Sequence, residues 1–143
     1  MNNSKDGIFI SYAQADQSYA EALVKELEFS GNHIHGWNCG ESIAGSDWEG
    51  EIQKALRETS VVLLITSKDS LISQYVNYEI GSAIAADTPV IPVLVDDVDS
   101  LPTYLRRIHA VDVRGLDRER MGAEVAAAIK ELKKGEKETG DSA

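Results

Sequence analysis

The chain has 143 residues, 43% of them hydrophobic, which is enough for one domain with a sizeable core rather than a disordered chain. Its formal net charge of −10 opposes binding to nucleic acid or to an anionic membrane surface. The single cysteine, Cys39, excludes an internal disulfide. The polar N-terminus shows no signal peptide, and no apolar run approaches the roughly 20 residues of a membrane span. We therefore expect a cytoplasmic protein.

The first part of the chain predicts a strand, a helix, a second strand and a loop. Residues 7–12 form a short apolar run that is typical of a buried strand. Asp16 is a suitable N-cap for the helix that follows, and Gly31 is a suitable end for it. Residues 33–37 predict a less apolar strand, nearer a sheet edge, and the loop at residues 38–45 follows it.

The second part continues the alternation of helices and strands. Ser46 and Glu49 form a capping box, which predicts the start of a helix. Three more strands are predicted at residues 60–66, 89–95 and 109–113, and two more helices at residues 73–86 and from residue 117 onward. A single domain is therefore expected over residues 1–134, with a disordered polar tail at residues 135–143.

Strands that alternate with helices predict an α/β fold with a parallel sheet. Five strands in a chain of this length favour a flavodoxin-like sheet of order 2-1-3-4-5, with helices on both faces. The strand order then reverses between strands 1 and 3, and ligands of such folds bind outside the carboxyl ends of the strands at that point. We expect that crevice to be lined by residues 11–14, 38–45 and 67–75.

The predicted helix at residues 73–86 carries two kinds of face. Its apolar residues recur at the spacing of a core-facing stripe, at Val76, Ile80, Ala83 and Ile84. Tyr75 and Glu79 are four residues apart and so lie one above the other on a second face. Because this helix starts beside the predicted crevice, its carboxylate is a candidate functional group rather than an ordinary surface charge.

Three stretches of the sequence resemble motifs of the Toll/interleukin-1 receptor (TIR) domain family, in order and at matching spacing over residues 7–132. The first is FISYAQAD at residues 9–16, and the second is residues 36–48 with Ile43, Gly45 and Trp48. The third resembles the tryptophan-x-x-x-glutamate signature of NAD-cleaving members, with Tyr75 in place of the tryptophan and Glu79 as the glutamate. Asn38 stands where the family usually has aspartate.

The resemblance implies a free-standing prokaryotic TIR domain that consumes NAD+ as substrate, without a cofactor. Such an enzyme would act as an NAD+ hydrolase or ADP-ribosyl cyclase in anti-phage signalling or NAD+ depletion. Cleavage of the nicotinamide–ribose bond passes through an oxocarbenium-like state, which a fixed carboxylate stabilises. Glu79 is accordingly the candidate catalytic residue. The candidate substrate-binding residues are Ser11, Tyr12, Ala13, Asn38, Gly45, Ser46 and Tyr75.

Two other functions fit the same predicted fold. A non-catalytic TIR adaptor would act through TIR–TIR contacts alone. The enzyme that the resemblance implies would bind NAD+ and self-associate through TIR–TIR contacts, and an upstream sensor or a downstream effector protein is a further possible partner. A phosphoacceptor receiver domain would need an aspartate at the end of strand 3, where the sequence has Thr66 and Ser67. A metal site is not expected, since His33, His35 and Cys39 lack a fourth ligand at matching spacing.

Overall fold

The computed structural model of the chain describes residues 7–38, 48–97, 105 and 110–141. Within these residues, five strands form one parallel sheet in the order β2-β1-β3-β4-β5. The strands are β1 (Gly7–Ser11), β2 (Ile34–Asn38), β3 (Thr59–Thr66), β4 (Val90–Leu94) and β5 (Val111–Asp112). The predicted α/β fold with its flavodoxin-like strand order is confirmed, although β5 is reduced to two residues.

The helices alternate with these strands. They are α1 (Gln17–Phe29), α2 (Trp48–Arg57), α3 (Lys68–Leu71), α4 (Gln74–Ala85) and α5 (Arg118–Asp141), with a short 3-10 helix at Gln14–Asp16. The sequence did not predict α3, a single turn that a reciprocal capping box between Ser67 and Ser70 supports. The last helix continues to Asp141, where the sequence predicted a polar tail from residue 135.

The core consists of two apolar layers, one on each face of the sheet. Alternate residues of a strand point to opposite faces, so Ile8 and Ile10 of β1 pack toward α1 and α5, whereas Phe9 packs toward α2 and α4. The central strand β3 is buried along almost its whole length, and its side chains alternate between the same two layers. Because both faces of β1 and β3 are covered, polar groups can reach solvent only at the ends of these strands.

Pro92 lies inside β4, which has a neighbouring strand on each side, a position that proline rarely occupies. Val95 N donates to Thr66 O at 3.2 Å, so the odd-numbered residues of β4 bond to β3 and the nitrogen of Pro92 is turned toward β5. In the described sheet, β5 pairs with Val93 and Leu94, beyond Pro92. The proline therefore interrupts no hydrogen bond of the described sheet.

The helices α1 and α5 lie close together at Gly122. A Cβ atom at this position would lie 2.5 Å from Glu26 Cβ, inside any allowed contact. We expect Gly122→Ala to lower the free energy of unfolding by about 1–3 kcal/mol, because overpacking outweighs the roughly 1 kcal/mol that alanine gains over glycine in a helix.

Gly81 in α4 is the matched control for this substitution. A Cβ atom at Gly81 would meet nothing within 4 Å, so Gly81→Ala is expected to raise stability by up to about 1 kcal/mol. Urea denaturation of both variants gives the comparison. Equal stabilisation by the two alanines would show that α1 and α5 separate at no cost.

Candidate active site

The strand order reverses between β1 and β3, and the end of β1 lies at that point of the sheet's carboxyl edge. Ser11 ends β1 and is paired with Asn38 of β2 on one side and Leu64 of β3 on the other. Of the residues predicted to line the crevice, Ser11 and the backbone of Asn38 are therefore brought together. Gly45 and Ser46 lie outside the described residues.

The helix α4 starts beside this edge and carries Glu79 into the protein. Ser73 caps it, as predicted, since the Ser73 side chain accepts a hydrogen bond of 3.2 Å from Val76 N. The apolar positions Val76, Ile80 and Ala83 are buried as expected, but Ile84 is 40% exposed because it lies at the margin of the stripe. Glu79 lies between the buried positions on the helix surface and is itself 0% exposed.

Glu79 and Ser11 form a buried hydrogen-bonded pair across 68 residues of sequence. The Ser11 hydroxyl donates to Glu79 Oε1, and both side chains are fully buried. The other carboxylate oxygen, Oε2, is also buried and has no hydrogen-bond partner among the residues that the structure describes. One oxygen is thus fixed by the protein, and the hydrogen-bonding capacity of the other is unused among the described residues.

Burial dominates the ionisation of this carboxyl group. Loss of hydration raises the pKa of Glu79 from 4.5 to about 8, and the hydrogen bond from Ser11 opposes that rise only in part. Glu79 is therefore mostly protonated at neutral pH in this conformation. A carboxyl group with so strongly raised a pKa, at the edge of the sheet where the strand order reverses, is typical of functional sites.

The remaining predicted substrate-binding residues differ in their access to a ligand. Tyr12 and Ala13 have buried side chains, and Tyr12 packs in the core layer beneath α1 and α5. The side chain of Ser11 is also enclosed, so in this conformation it orients Glu79 rather than meeting a substrate. Tyr75 is partly buried and lies one helical turn before Glu79, where the sequence placed it.

A second buried carboxylate, Asp16, lies near the same edge. It occupies the N-cap position of α1, as predicted, but its side chain makes no capping hydrogen bond to that helix. Instead Asp16 Oδ2 accepts a 2.5 Å hydrogen bond from the hydroxyl of Ser67, directly after β3. Burial raises the pKa of Asp16, the bond from Ser67 opposes this, and the charges of Asp69 and Asp96 add to the rise.

The metal-ligating residue types do not converge within the described part of the chain. Across residues 7–38, 48–97 and 110–141, no three His, Cys, Asp or Glu side chains lie close enough together to hold a metal ion. The side chain of His35 and the whole of Cys39 fall outside the described set. No helix in those same ranges is both long enough and apolar enough to cross a membrane.

The family model for the TIR domain matches residues 8–133, nearly the whole chain. The chain belongs to the TIR domain family. This confirms the resemblance to that family. The pair formed by Ser11 and Glu79 therefore joins the first strand of a TIR domain to the helix that carries its third motif.

Solved structures agree with this assignment. The TIR domain of the Toll-related receptor TRR-2 from Hydra magnipapillata is 18% identical, with a TM-score of 0.68 over 91% of this chain and 99% of that one. A metazoan TIR-STING receptor from C. gigas, in complex with 2′,3′-cGAMP, is 22% identical, with a TM-score of 0.66 over 87% of this chain but only 40% of that receptor.

The flavodoxin-like topology has its own structural counterpart. A flavodoxin-like domain from Synechococcus is 14% identical, with a TM-score of 0.56 over 87% of this chain and 99% of that domain. No curated protein matches this chain in sequence. Identities this low establish a shared fold, and the chemistry of this TIR domain has to be argued from its own site.

Proposed function

We propose that this TIR domain cleaves the nicotinamide–ribose bond of NAD+, as a hydrolase or ADP-ribosyl cyclase. The observation that carries the proposal is the carboxyl group of Glu79, buried at the carboxyl edge of the sheet where the strand order reverses. Its Oε1 is held by Ser11, whereas Oε2 has no partner among the described residues. A buried polar atom without a partner costs free energy in a folded protein, and a functional role is one explanation for its presence.

The chemistry of NAD+ suits a single fixed carboxylate. The pyridinium ring departs as neutral nicotinamide, so no general acid is needed, and positive charge develops on the ribose. A carboxylate near the ribose stabilises that charge, and a low-dielectric surrounding makes the interaction stronger than it would be in water. Oε2 of Glu79 is suited to meet the ribose while Ser11 fixes the orientation of the group.

Ionisation of Glu79 couples substrate binding to proton release. The free protein holds this carboxyl mostly protonated at neutral pH, because burial raises the pKa of Glu79 to about 8. The pyridinium is a cation, and an opposite charge within a few ångströms favours the ionised carboxylate. Binding of NAD+ therefore lowers the pKa of Glu79 and expels its proton, which leaves the anion in place for bond cleavage.

Tyr75, one turn before Glu79, supplies a ring that can stack on a base of the dinucleotide. Gly45 and Ser46 remain candidates for phosphate binding through backbone amides.

The biological role of this activity would be anti-phage signalling or NAD+ depletion in a prokaryotic cytoplasm. The chain would receive its trigger from a sensor protein or from self-association. A cyclic product would act on a separate effector.

Chromatography of NAD+ incubated with the purified protein tests the proposal. Release of nicotinamide with formation of linear or cyclic ADP-ribose is the expected result, and the second product separates a hydrolase from a cyclase. The second candidate function is an adaptor that acts only through TIR–TIR contacts. It is favoured by the full burial of Glu79 in a single chain, because a buried carboxyl group does not meet a substrate. NAD+ left intact at high protein concentration, with and without a crowding agent, would support the adaptor.

Activity per molecule is expected to rise with protein concentration. Glu79 is 0% exposed in the single chain, so NAD+ reaches it only in an opened conformation of low population. A neighbouring chain that binds the opened conformation raises its population. The net charge of −10 opposes this contact, so added salt should strengthen the effect by screening the repulsion.

Initial rates of nicotinamide release across a wide range of protein concentrations, at two salt levels, measure this dependence. Light scattering on the same samples reports the oligomeric state. Rates strictly proportional to concentration, from a protein that stays monomeric throughout, would show that one chain is sufficient.

A further inference from the structure

We propose that Asp16 is a positioning residue of the candidate active site. It binds Ser67 and so holds the loop after β3 against the loop after β1, which sets the first turn of α4 and thereby the place of Glu79. Asp16 itself does not touch substrate in this arrangement. The activity part of the inference rests on the proposed NAD+ cleavage, whereas the structural part can be tested without it.

The hydrogen bonds begin at a group of three buried side chains, those of Asp16, Ser67 and Ser70. Ser67 Oγ donates to Asp16 Oδ2 at 2.5 Å and accepts from Ser70 N at 3.0 Å. Ser67 N donates in turn to Ser70 Oγ at 2.8 Å. None of the three residues is more than 7% exposed, so water competes little with these bonds. Because Asp16 can only accept when ionised, it fixes the direction in which the Ser67 hydroxyl points.

From Ser70 the hydrogen bonds continue to α4 without interruption. Ser73 N donates to Ser70 O at 3.2 Å, and the Ser73 side chain accepts from Val76 N in the first turn of α4. Asn77 Nδ2 adds bonds of 2.8 Å to Ser73 O and 3.1 Å to Leu71 O. The first turn of α4 is therefore tied to the same group that Asp16 orients.

The pair formed by Ser11 and Glu79 closes this path into a ring. Ser11 lies five residues before Asp16 in the chain, and its hydroxyl donates to Glu79 in the second turn of α4. The ring thus joins the two strands that flank the crevice to the helix that carries the carboxyl group. A shift at the contact between Asp16 and Ser67 reaches Glu79 from both sides.

Stability alone gives little reason for a carboxylate at position 16. Burying an ionised group is costly, and Asp69 and Asp96 add like charge. A neutral acceptor would keep a hydrogen bond at lower cost. The carboxylate instead offers a short, directional bond to a hydroxyl, the kind of interaction that fixes geometry.

The experiment compares Asp16→Ala, Ser67→Ala and the double variant in NAD+ turnover, well below their unfolding temperatures. Asp16→Ala is expected to lower kcat by about 10- to 100-fold with KM changed much less, since a misplacement of about 1 Å costs up to about 100-fold. The double variant should be no worse than the more affected single variant, because both remove the same bond. Asp16→Asn keeps an acceptor oxygen and should retain most of kcat.

Asp69→Asn is the matched control. It removes a neighbouring exposed carboxylate that makes no bond to Ser67 in the described structure, and kcat should stay close to that of the parent. Additive losses in the double variant, or a kcat for Asp16→Ala within threefold of the parent, would overturn the inference. Ser67→Ala, which removes the same bond from the other side, keeps the test decisive if Asp16→Ala fails to fold.

Amide hydrogen exchange separates failure of this inference from failure of the proposed function. Asp16→Ala and Ser67→Ala should speed exchange not only at residues 67–71 but also at residues 74–79, in the first turns of α4, whereas Asp16→Asn should stay close to the parent. If the parent protein does not cleave NAD+, the proposed function is wrong and exchange at residues 74–79 alone decides the inference. Unchanged exchange there, with faster exchange confined to residues 67–71, would show that Asp16 only stabilises its own loop.

Discussion

Glu79→Gln is expected to lower nicotinamide release from NAD+ by about 100- to 1000-fold, the usual loss when a preorganised electrostatic group is removed from an enzyme. Glutamine has nearly the same size and shape as glutamate, and its Oε1 can still accept the hydrogen bond that Ser11 donates. It lacks the negative charge that the ribose requires as the nicotinamide departs. The loss should therefore appear mainly in kcat, because the charge acts most strongly in the transition state.

The fold should survive this substitution. In the parent at neutral pH the group is mostly an uncharged carboxyl, so glutamine replaces one neutral buried group with another. Circular dichroism and thermal unfolding of the variant verify this point. Glu28→Gln, at an exposed position of α1, is the matched control and should keep full activity. Turnover by Glu79→Gln within about tenfold of the parent, a difference of about 1.4 kcal/mol, would remove Glu79 from the mechanism.

The main elements of the fold could be predicted from local patterns. The apolar runs of β1 and β3 and the apolar stripe of α4 have the periodicity of buried strands and of a core-facing helix, and these elements form where that pattern is strong. The elements α3 and β5 have only four and two residues, too few for a period to be visible. Their positions depend on a local cap and on pairing with a neighbouring strand.

The candidate site could be predicted only in part. Spacing alone places Glu79 beside the core stripe of its helix, and the strand order brings the end of β1 near it. The partners of the buried carboxylates could not be predicted, because Ser11 and Glu79 are 68 residues apart and Asp16 and Ser67 are 51 residues apart. Asp16 shows the difficulty directly: its sequence context is that of an N-cap, and its side chain binds another loop.

The stability of the protein is expected to fall between about pH 5 and pH 8 relative to Glu79→Gln. The pKa of Glu79 is about 8 in the folded protein, whereas an unfolded glutamate has its ordinary value of 4.5. Between these values the unfolded chain has lost the proton and the folded protein still holds it. The contribution of Glu79 to stability is therefore fully present below about pH 4.5 and is lost as pH rises toward 8.

The size of the effect follows from the separation of the two pKa values. Each pKa unit corresponds to about 1.4 kcal/mol, so the stability gained by Glu79→Gln over the parent should grow by about 3–4 kcal/mol from pH 5 to pH 8. Other titrating groups contribute to both proteins and cancel in this comparison. The carboxamide of glutamine does not titrate in this range, so position 79 adds no pH dependence to the free energy of unfolding of the variant.

Urea denaturation of both proteins at pH 5, 6, 7 and 8 measures the difference. Glu28→Gln again serves as the control, and its stability should stay parallel to that of the parent at every pH. A constant difference between the parent and Glu79→Gln across this range would mean that Glu79 is ionised in the folded protein at pH 5. In that case water or another group already satisfies Oε2, and the site would not release a proton when a cationic substrate binds.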